Sequence, residues 1–305
     1  MATASFLDPA LFRDDAIAPD TRAFIEAMRK PPAGARTGPP PAGPKSPRAT
    51  TRKIDAGGGR EVELRIIAPD NPHGAYLHLH GGGLIMGSAA DNDSMLERIA
   101  DNTGLACVAV EYRLAPAHPY PAAWDDCEAA AVWLAKNLKS EFGGTGLAIG
   151  GESAGATLAV PTLVRMRDKH GFTGFQAANL SYGNYDTTMT PDQHWIGKDA
   201  VPVNEAMVKD CSNQYAPAPI DRRDPDVSAL YADVRNMPAA LFTVGSLDVF
   251  LDDSLFLYAR WVAAGNEAEL AVYPGGTHGF NMTSLKIAEE ANARIDAFLK
   301  AKTAP

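Results

Sequence analysis

From residue 75 onward, short apolar runs alternate with longer stretches whose apolar positions recur every three or four residues. The apolar runs lie at 75–79, 105–110, 147–149, 177–180, 239–244 and 268–272. Few polar residues interrupt them, which is the pattern of strands covered on both faces. The periodic stretches lie at 93–102, 122–138, 153–168, 252–264 and 284–301 and predict helices. Strand and helix in alternation predict an α/β fold, a mostly parallel sheet with helices on both faces. Ahead of it, 51–56 and 61–68 read as two more strands joined by Gly57-Gly58-Gly59, giving eight in all. In the second, Val62, Leu64 and Ile66 alternate with Glu61, Glu63 and Arg65. That alternation suits a half-exposed antiparallel hairpin at a sheet edge.

Three stretches break the rhythm. Phe6, Leu7, Leu11 and Phe12 form one apolar group, and Ile17, Phe24, Ile25 and Met28 form another. They predict two N-terminal helices, the second capped by Asp20 or Thr21, which serve as an arm on the core or as part of a lid. Residues 31–47 are rich in Pro, Gly and Ala and predict a stiff, extended linker. Residues 182–238 hold polar and aromatic sequence with helical patches and several prolines, too much for an ordinary connection. They read as an insertion at the carboxyl end of a strand, above the place where open α/β sheets bind ligands.

Charge and cysteine usage narrow the class. The 305 residues carry a formal net charge of -9, which argues against nucleic acid or an anionic membrane as partner. Cys107, Cys127 and Cys211 are sparse and lack metal-ligand spacing. They predict free thiols, Cys107 buried, and a reducing, cytoplasmic setting. Segment 1–20 carries Asp8, Asp14 and Asp15 and no apolar run behind a basic start, so it does not read as a signal peptide. No run approaches the roughly 20 apolar residues of a membrane span.

The candidate chemistry centres on Gly151-Glu152-Ser153-Ala154-Gly155, which follows the apolar run 146–150 and opens a helical pattern. Strand, sharp turn with serine at its apex, then helix is a nucleophile elbow. The flanking glycines are required because a side chain there would collide with the neighbouring strand or helix. A serine hydroxyl needs a histidine to take its proton during attack. Of seven histidines, His73 and His170 read as surface residues, while His278 lies in the glycine-rich loop between the last strand and the last helix. That loop can bring an imidazole to the elbow. An acid must orient the imidazole, and in this architecture the chain order is Ser, acid, His. Asp248 follows the strand 239–244 through a Gly245-Ser246-Leu247 turn. Asp252 and Asp253 read instead as charges favoured at a helix N-terminus. His80-Gly81-Gly82-Gly83, after the strand 75–79, lets backbone N–H groups approach a developing oxyanion, and the N–H of Ala154 supplies another donor.

Together with Tyr112-Arg113-Leu114-Ala115-Pro116 and His278-Gly279-Phe280, these motifs resemble the hormone-sensitive-lipase family of α/β-hydrolase esterases, bacterial family IV, from about residue 60 to the C-terminus. The resemblance implies a triad of Ser153, Asp248 and His278 and oxyanion donors at Gly82, Gly83 and Ala154. It gives His80, Glu152, Tyr112 and Arg113 supporting roles around the nucleophile and its oxyanion loop. It implies a catalytic domain of 48–183 and 237–305, and a cap built from 1–47 and 184–236. Small esters with short to medium acyl chains are the substrates it suggests, with no metal or cofactor. Met189, His194 and Trp195 are candidates for the pocket lining. Glu152 departs from the Asp commoner in the family, and its longer side chain can reach a different partner. Asp-Val-Phe-Leu-Asp-Asp at 248–253 departs from the family's Asp-Pro-Leu. An amidase, lactonase or acyltransferase would share the triad, and a non-catalytic ligand-binding module would lack its histidine. The last strand offers an edge for a homodimer.

Overall fold

A computed structural model describes residues 7–30 and 44–305. Eight strands form one sheet: β1 (Thr50–Asp55), β2 (Glu61–Ile67), β3 (Gly74–Leu79), β4 (Ala106–Glu111), β5 (Gly146–Glu152), β6 (Ala177–Ser181), β7 (Ala239–Gly245) and β8 (Ala268–Tyr273). Their order is β1-β2-β4-β3-β5-β6-β7-β8. The β1–β2 and β2–β4 pairs are antiparallel and every later pair is parallel. The hairpin at the edge matches its alternation: Val62 and Leu64 are buried while Glu61 and Glu63 are exposed.

Eight helices accompany the sheet among the described residues: α1 (Pro19–Arg29), α2 (Asp93–Thr103), α3 (Ala122–Phe142), α4 (Ala154–His170), α5 (Pro191–Trp195), α6 (Glu205–Tyr215), α7 (Leu251–Ala263) and α8 (Lys286–Thr303). Side chains alternate across a strand, so each central strand feeds two cores. On one face Leu77, Leu79, Val108, Val110, Ile149 and Phe242 pack with Trp124 of α3, Leu158 of α4 and Trp261 of α7. On the other, Tyr76, Cys107, Ala148 and Leu241 pack with Leu96 and Ile99 of α2 and Ile295 and Phe298 of α8. No described helix is long and apolar enough to cross a membrane.

The N-terminus differs from its sequence reading. Leu11 and Phe12 do not enter an α-helix. Pro9–Phe12 and Asp14–Ala16 are short 3-10 turns, the first capped by the Asp8 side chain. Asp20 does not cap α1: Pro19 takes the first helical position, Ala18 precedes it, and Asp20 lies in the first turn. Phe6 and most of the expected linker, 31–43, lie outside the described residues. Strand β5 also runs further than its apolar core suggested, through Gly150 and Gly151 to Glu152. These glycines mark close approach rather than a break. A Cβ on Gly150 would stand 2.1 Å from Asn179 O of the neighbouring β6.

Candidate active site

Parallel β3, β5, β6, β7 and β8 all end at one edge, so the segments that follow them converge there. Ser153 sits between β5 and α4 with φ 56° and ψ -118°. A non-glycine residue at positive φ costs about 1–3 kcal/mol and persists only where its surroundings impose it. Here the imposing contact is visible. A Cβ on Gly151 would meet Leu79 O at 1.9 Å, and one on Gly155 would meet the same oxygen at 1.8 Å. The turn is pressed against the end of β3 on both sides. The Ser153 N–H donates to Ser181 O at 2.9 Å, which ties the apex to β6.

His278 Nε2 lies 2.9 Å from Ser153 Oγ, and its Nδ1 lies 3.1 Å from both Asp248 oxygens. An ionised carboxylate only accepts hydrogen bonds, so Nδ1 carries the imidazole proton and Nε2 faces the serine hydroxyl as an acceptor. Asp248 is fully buried and also accepts from the Phe250 N–H at 2.9 Å. The structure thus brings together the three residues that the sequence set at 153, 248 and 278.

Gly81 lies against the elbow, where a Cβ on it would meet Ser153 Cβ at 3.6 Å, and the next two residues, Gly82 and Gly83, have φ of +115° and +62°, values that favour glycine. Among the described residues, none accepts a hydrogen bond from their N–H groups. Ala154, at the first position of α4, has the unpaired N–H of any helix start. Tyr112 braces the loop, donating from its hydroxyl to His80 O at 2.7 Å and stacking on the His80 ring at 4.0 Å. Burial lowers His80 to about 4, so it stands neutral, with Nδ1 donating to Gly81 O at 2.7 Å. Arg113 acts further off. Its Nε and backbone N–H reach Asp126 Oδ2 of α3, at 2.8 and 3.0 Å, rather than the loop itself. Glu152 points away from the serine into the sheet, where Oε2 meets His78 Nε2 at 2.9 Å; neither residue has exposed surface.

The three pocket candidates separate. Met189 packs with Val208, Val249 and Phe250, a cluster that borders His278 through Phe250. His194 and Trp195 lie on the outer side of the insertion. The short α5 turns Gln193 inward, which leaves Trp195 81% exposed and pairs His194 with Glu205 at 2.9 Å. Away from the site, His73 is not a surface residue. It is half-buried, with Nε2 at 2.9 Å from Thr103 O. His170 does lie at the surface, bonded to Glu128.

Two residues were not singled out in the sequence, and two that were, Cys211 as a free thiol and Asp253 as a helix-start charge, make further contacts. Tyr182 and Phe250 flank the His278 ring at 4.9 and 5.2 Å. Cys211 of α6 sits so close that a Cβ on Gly83 would meet its Sγ at 2.7 Å. Asp253 does lie in the first turn of α7, but it also anchors the insertion. Fully buried, it accepts from the N–H groups of Tyr185 (2.7 Å) and Asp186 (2.9 Å), Thr190 Oγ1 (2.7 Å) and Gln193 Nε2 (2.9 Å). Tyr182 carried no local signal, and Phe250 only that of an aromatic two positions beyond the acid. The three cysteines are free thiols, and burial pushes Cys107 and Cys127 upward.

Known proteins place this arrangement. The model of a family with the α/β-hydrolase fold matches residues 76–282. An ethyl acetate hydrolase from Pseudomonas putida is 31% identical over 243 residues, 77% of this chain and 76% of the relative. A hyperthermophilic esterase from the archaeon Pyrobaculum calidifontis superposes with a TM-score of 0.77 at 30% identity, over 83% of this chain and 85% of its own. A hormone-sensitive lipase from a metagenome library gives a TM-score of 0.81 at 26% identity, over 93% and 99%. The chain belongs to the α/β-hydrolase family, in its hormone-sensitive-lipase branch of esterases.

Proposed function

We propose that the protein hydrolyses small carboxylic esters of short to medium acyl chain through an acyl-enzyme on Ser153. The observation that carries this reading is the hydrogen-bonded line from Ser153 Oγ through His278 to buried Asp248, with the glycine loop 81–83 starting against Ser153 at Gly81. Ser153 attacks the ester carbonyl while His278 Nε2 takes its proton; Asp248 holds the imidazolium that forms. The developing oxyanion is bound by the N–H groups of Gly82, Gly83 and Ala154, each worth roughly 3 kcal/mol of barrier. His278 returns its proton to the leaving alcohol, then activates the water that releases the acid. The chain segments 7–30 and 184–236 act as the cap. The apolar cluster of Met189, Val208, Val249 and Phe250 beside His278 suits an acyl chain rather than a charged group.

Ser153→Ala should leave a folded protein whose turnover of p-nitrophenyl acetate falls by about 10⁴-fold or more. Wild-type rates in that variant would overturn the assignment. A series of p-nitrophenyl esters from two to sixteen carbons tests the acyl range; equal rates across it would contradict the short-chain reading.

A further inference from the structure

Tyr182 lies directly beyond β6, on the far side of the site from the oxyanion loop's Tyr112, and has no part in the proton transfers above. It is 1% exposed and holds φ 39°, a backbone value that β-carbon residues rarely adopt. Its N–H donates to Thr243 O of β7 at 2.8 Å, so the backbone is locked between two central strands. From that fixed point the ring lies 4.9 Å from the His278 ring at 68°, an edge-to-face contact. Phe250 meets the same imidazole at 5.2 Å and 75°. Beyond His278, the Tyr182 hydroxyl donates to Asn281 Oδ1, three residues along the same loop. Burial pushes this hydroxyl well above its ordinary range, so it stays a donor. Asn281 is buried, and its Nδ2 meets no acceptor among the described residues. The Tyr182 bond therefore orients that side chain. Asn281 O in turn accepts from Asn292 Nδ2 of α8 at 2.9 Å.

We propose that Tyr182 is a positioning residue for His278: its ring sets the imidazole plane and its hydroxyl holds the loop through Asn281. The proposal rests on His278 as the base. A loop histidine has two free side-chain torsions and must meet Ser153 and Asp248 at once, at 2.9 and 3.1 Å. A drift of about 1 Å in such a geometry lowers rate by up to 10²-fold. The strained backbone is what allows a side chain to come from β6 rather than from the histidine's own loop.

The test uses the intact enzyme, p-nitrophenyl acetate, and titration of Ser153 with a fluorophosphonate so that rates refer to competent sites. Tyr182→Leu should lower kcat per titrated site by at least about tenfold with KM within twofold, since substrate is not touched. Tyr182→Phe, which keeps the ring and loses one hydrogen bond, should recover most of that, to within about fivefold of wild type. Adding Asn281→Leu to Tyr182→Phe should cost little more than either change alone. Wild-type kcat per site in Tyr182→Leu would overturn the proposal, as would a loss carried by KM or one that Tyr182→Phe does not restore. Wild-type turnover in His278→Ala would instead strike the underlying assignment of the base, and is read separately.

Discussion

Gly151→Ala adds one methyl group at the tightest point of the nucleophile elbow. That methyl carbon would stand 1.9 Å from Leu79 O, where real Cβ contacts stay above 3.0 Å, so the backbone must part by more than an ångström. Neither side yields cheaply. Gly151 pairs with Leu79 across β3 and β5 and with Leu180 across β5 and β6, and all of these strands are buried. Overpacking of this kind costs about 1–3 kcal/mol, more where backbone rather than side chain must move. The catalytic consequence is larger than the thermodynamic one. Ser153 rides two residues beyond Gly151, and a shift of about 1 Å breaks its 2.9 Å contact with His278 Nε2, at up to about 10²-fold in rate. Urea unfolding monitored by tryptophan fluorescence, together with kcat/KM for p-nitrophenyl acetate, measures both. Gly151→Ala should unfold at lower urea and lose rate beyond what its unfolded fraction explains. A variant with wild-type midpoint and wild-type kcat/KM would show that the contact with Leu79 does not set the elbow, and the account of Ser153's strained backbone would fall with it.

Other perturbations address the insertion. Asp226→Ala removes the carboxylate that Arg165 Nε meets at 2.8 Å, and that also accepts from Tyr120 Oη at 2.9 Å. Asp125 and Glu128 still face the guanidinium. The expected loss is thus about 2–3 kcal/mol, below the roughly 3–5 of a fully orphaned buried charge, and a urea midpoint shift under 0.5 kcal/mol equivalent would contradict it. Burial, reinforced by Asp252, pushes the Asp192 carboxyl up to about 6, and burial pushes Asp253 up to about 7 against its four donors. Unfolded, both ionise near 3.8, so as pH rises from there toward 6 or 7 the unfolded chain sheds protons that the folded one keeps, and stability falls. Asp192→Asn should make that fall shallower between pH of about 4 and 6, read as Tm across a pH series; a fall as steep as wild type would refute the raised Asp192.

What the sequence disclosed follows from how local each signal is. Strands buried on both faces leave uninterrupted apolar runs, so β3, β4, β6 and β7 were plain, and their parallel order followed from the helices between them. The elbow was plain because the collision that demands glycine at 151 and 155 acts on two neighbouring residues. Signals that depend on partners far along the chain were not. Nothing at 182 states that a tyrosine there will meet an imidazole from the loop after β8, and nothing at 253 distinguishes a helix-start charge from a buried anchor with four donors. Glu152 was legible as unusual but not as the partner of His78, because that contact crosses from β5 to β3. Trp195 misled for the opposite reason: an aromatic in an insertion suggests a pocket, yet the short α5 has only one inward position, and Gln193 takes it.

The contact between Cys211 and Gly83 joins two parts of the molecule with different demands. Helix α6 belongs to the insertion proposed to cap the substrate, and Gly83 to the loop proposed to bind the oxyanion. A methyl group on Gly83 would stand 2.7 Å from Sγ, so neither side can grow unless the other shifts. A change at position 211 would therefore also bear on the loop at Gly83. Under the proposed roles, a longer side chain there would press on the loop's N–H groups, so the choice of substrate and the stabilisation of charge would be coupled at one point of contact.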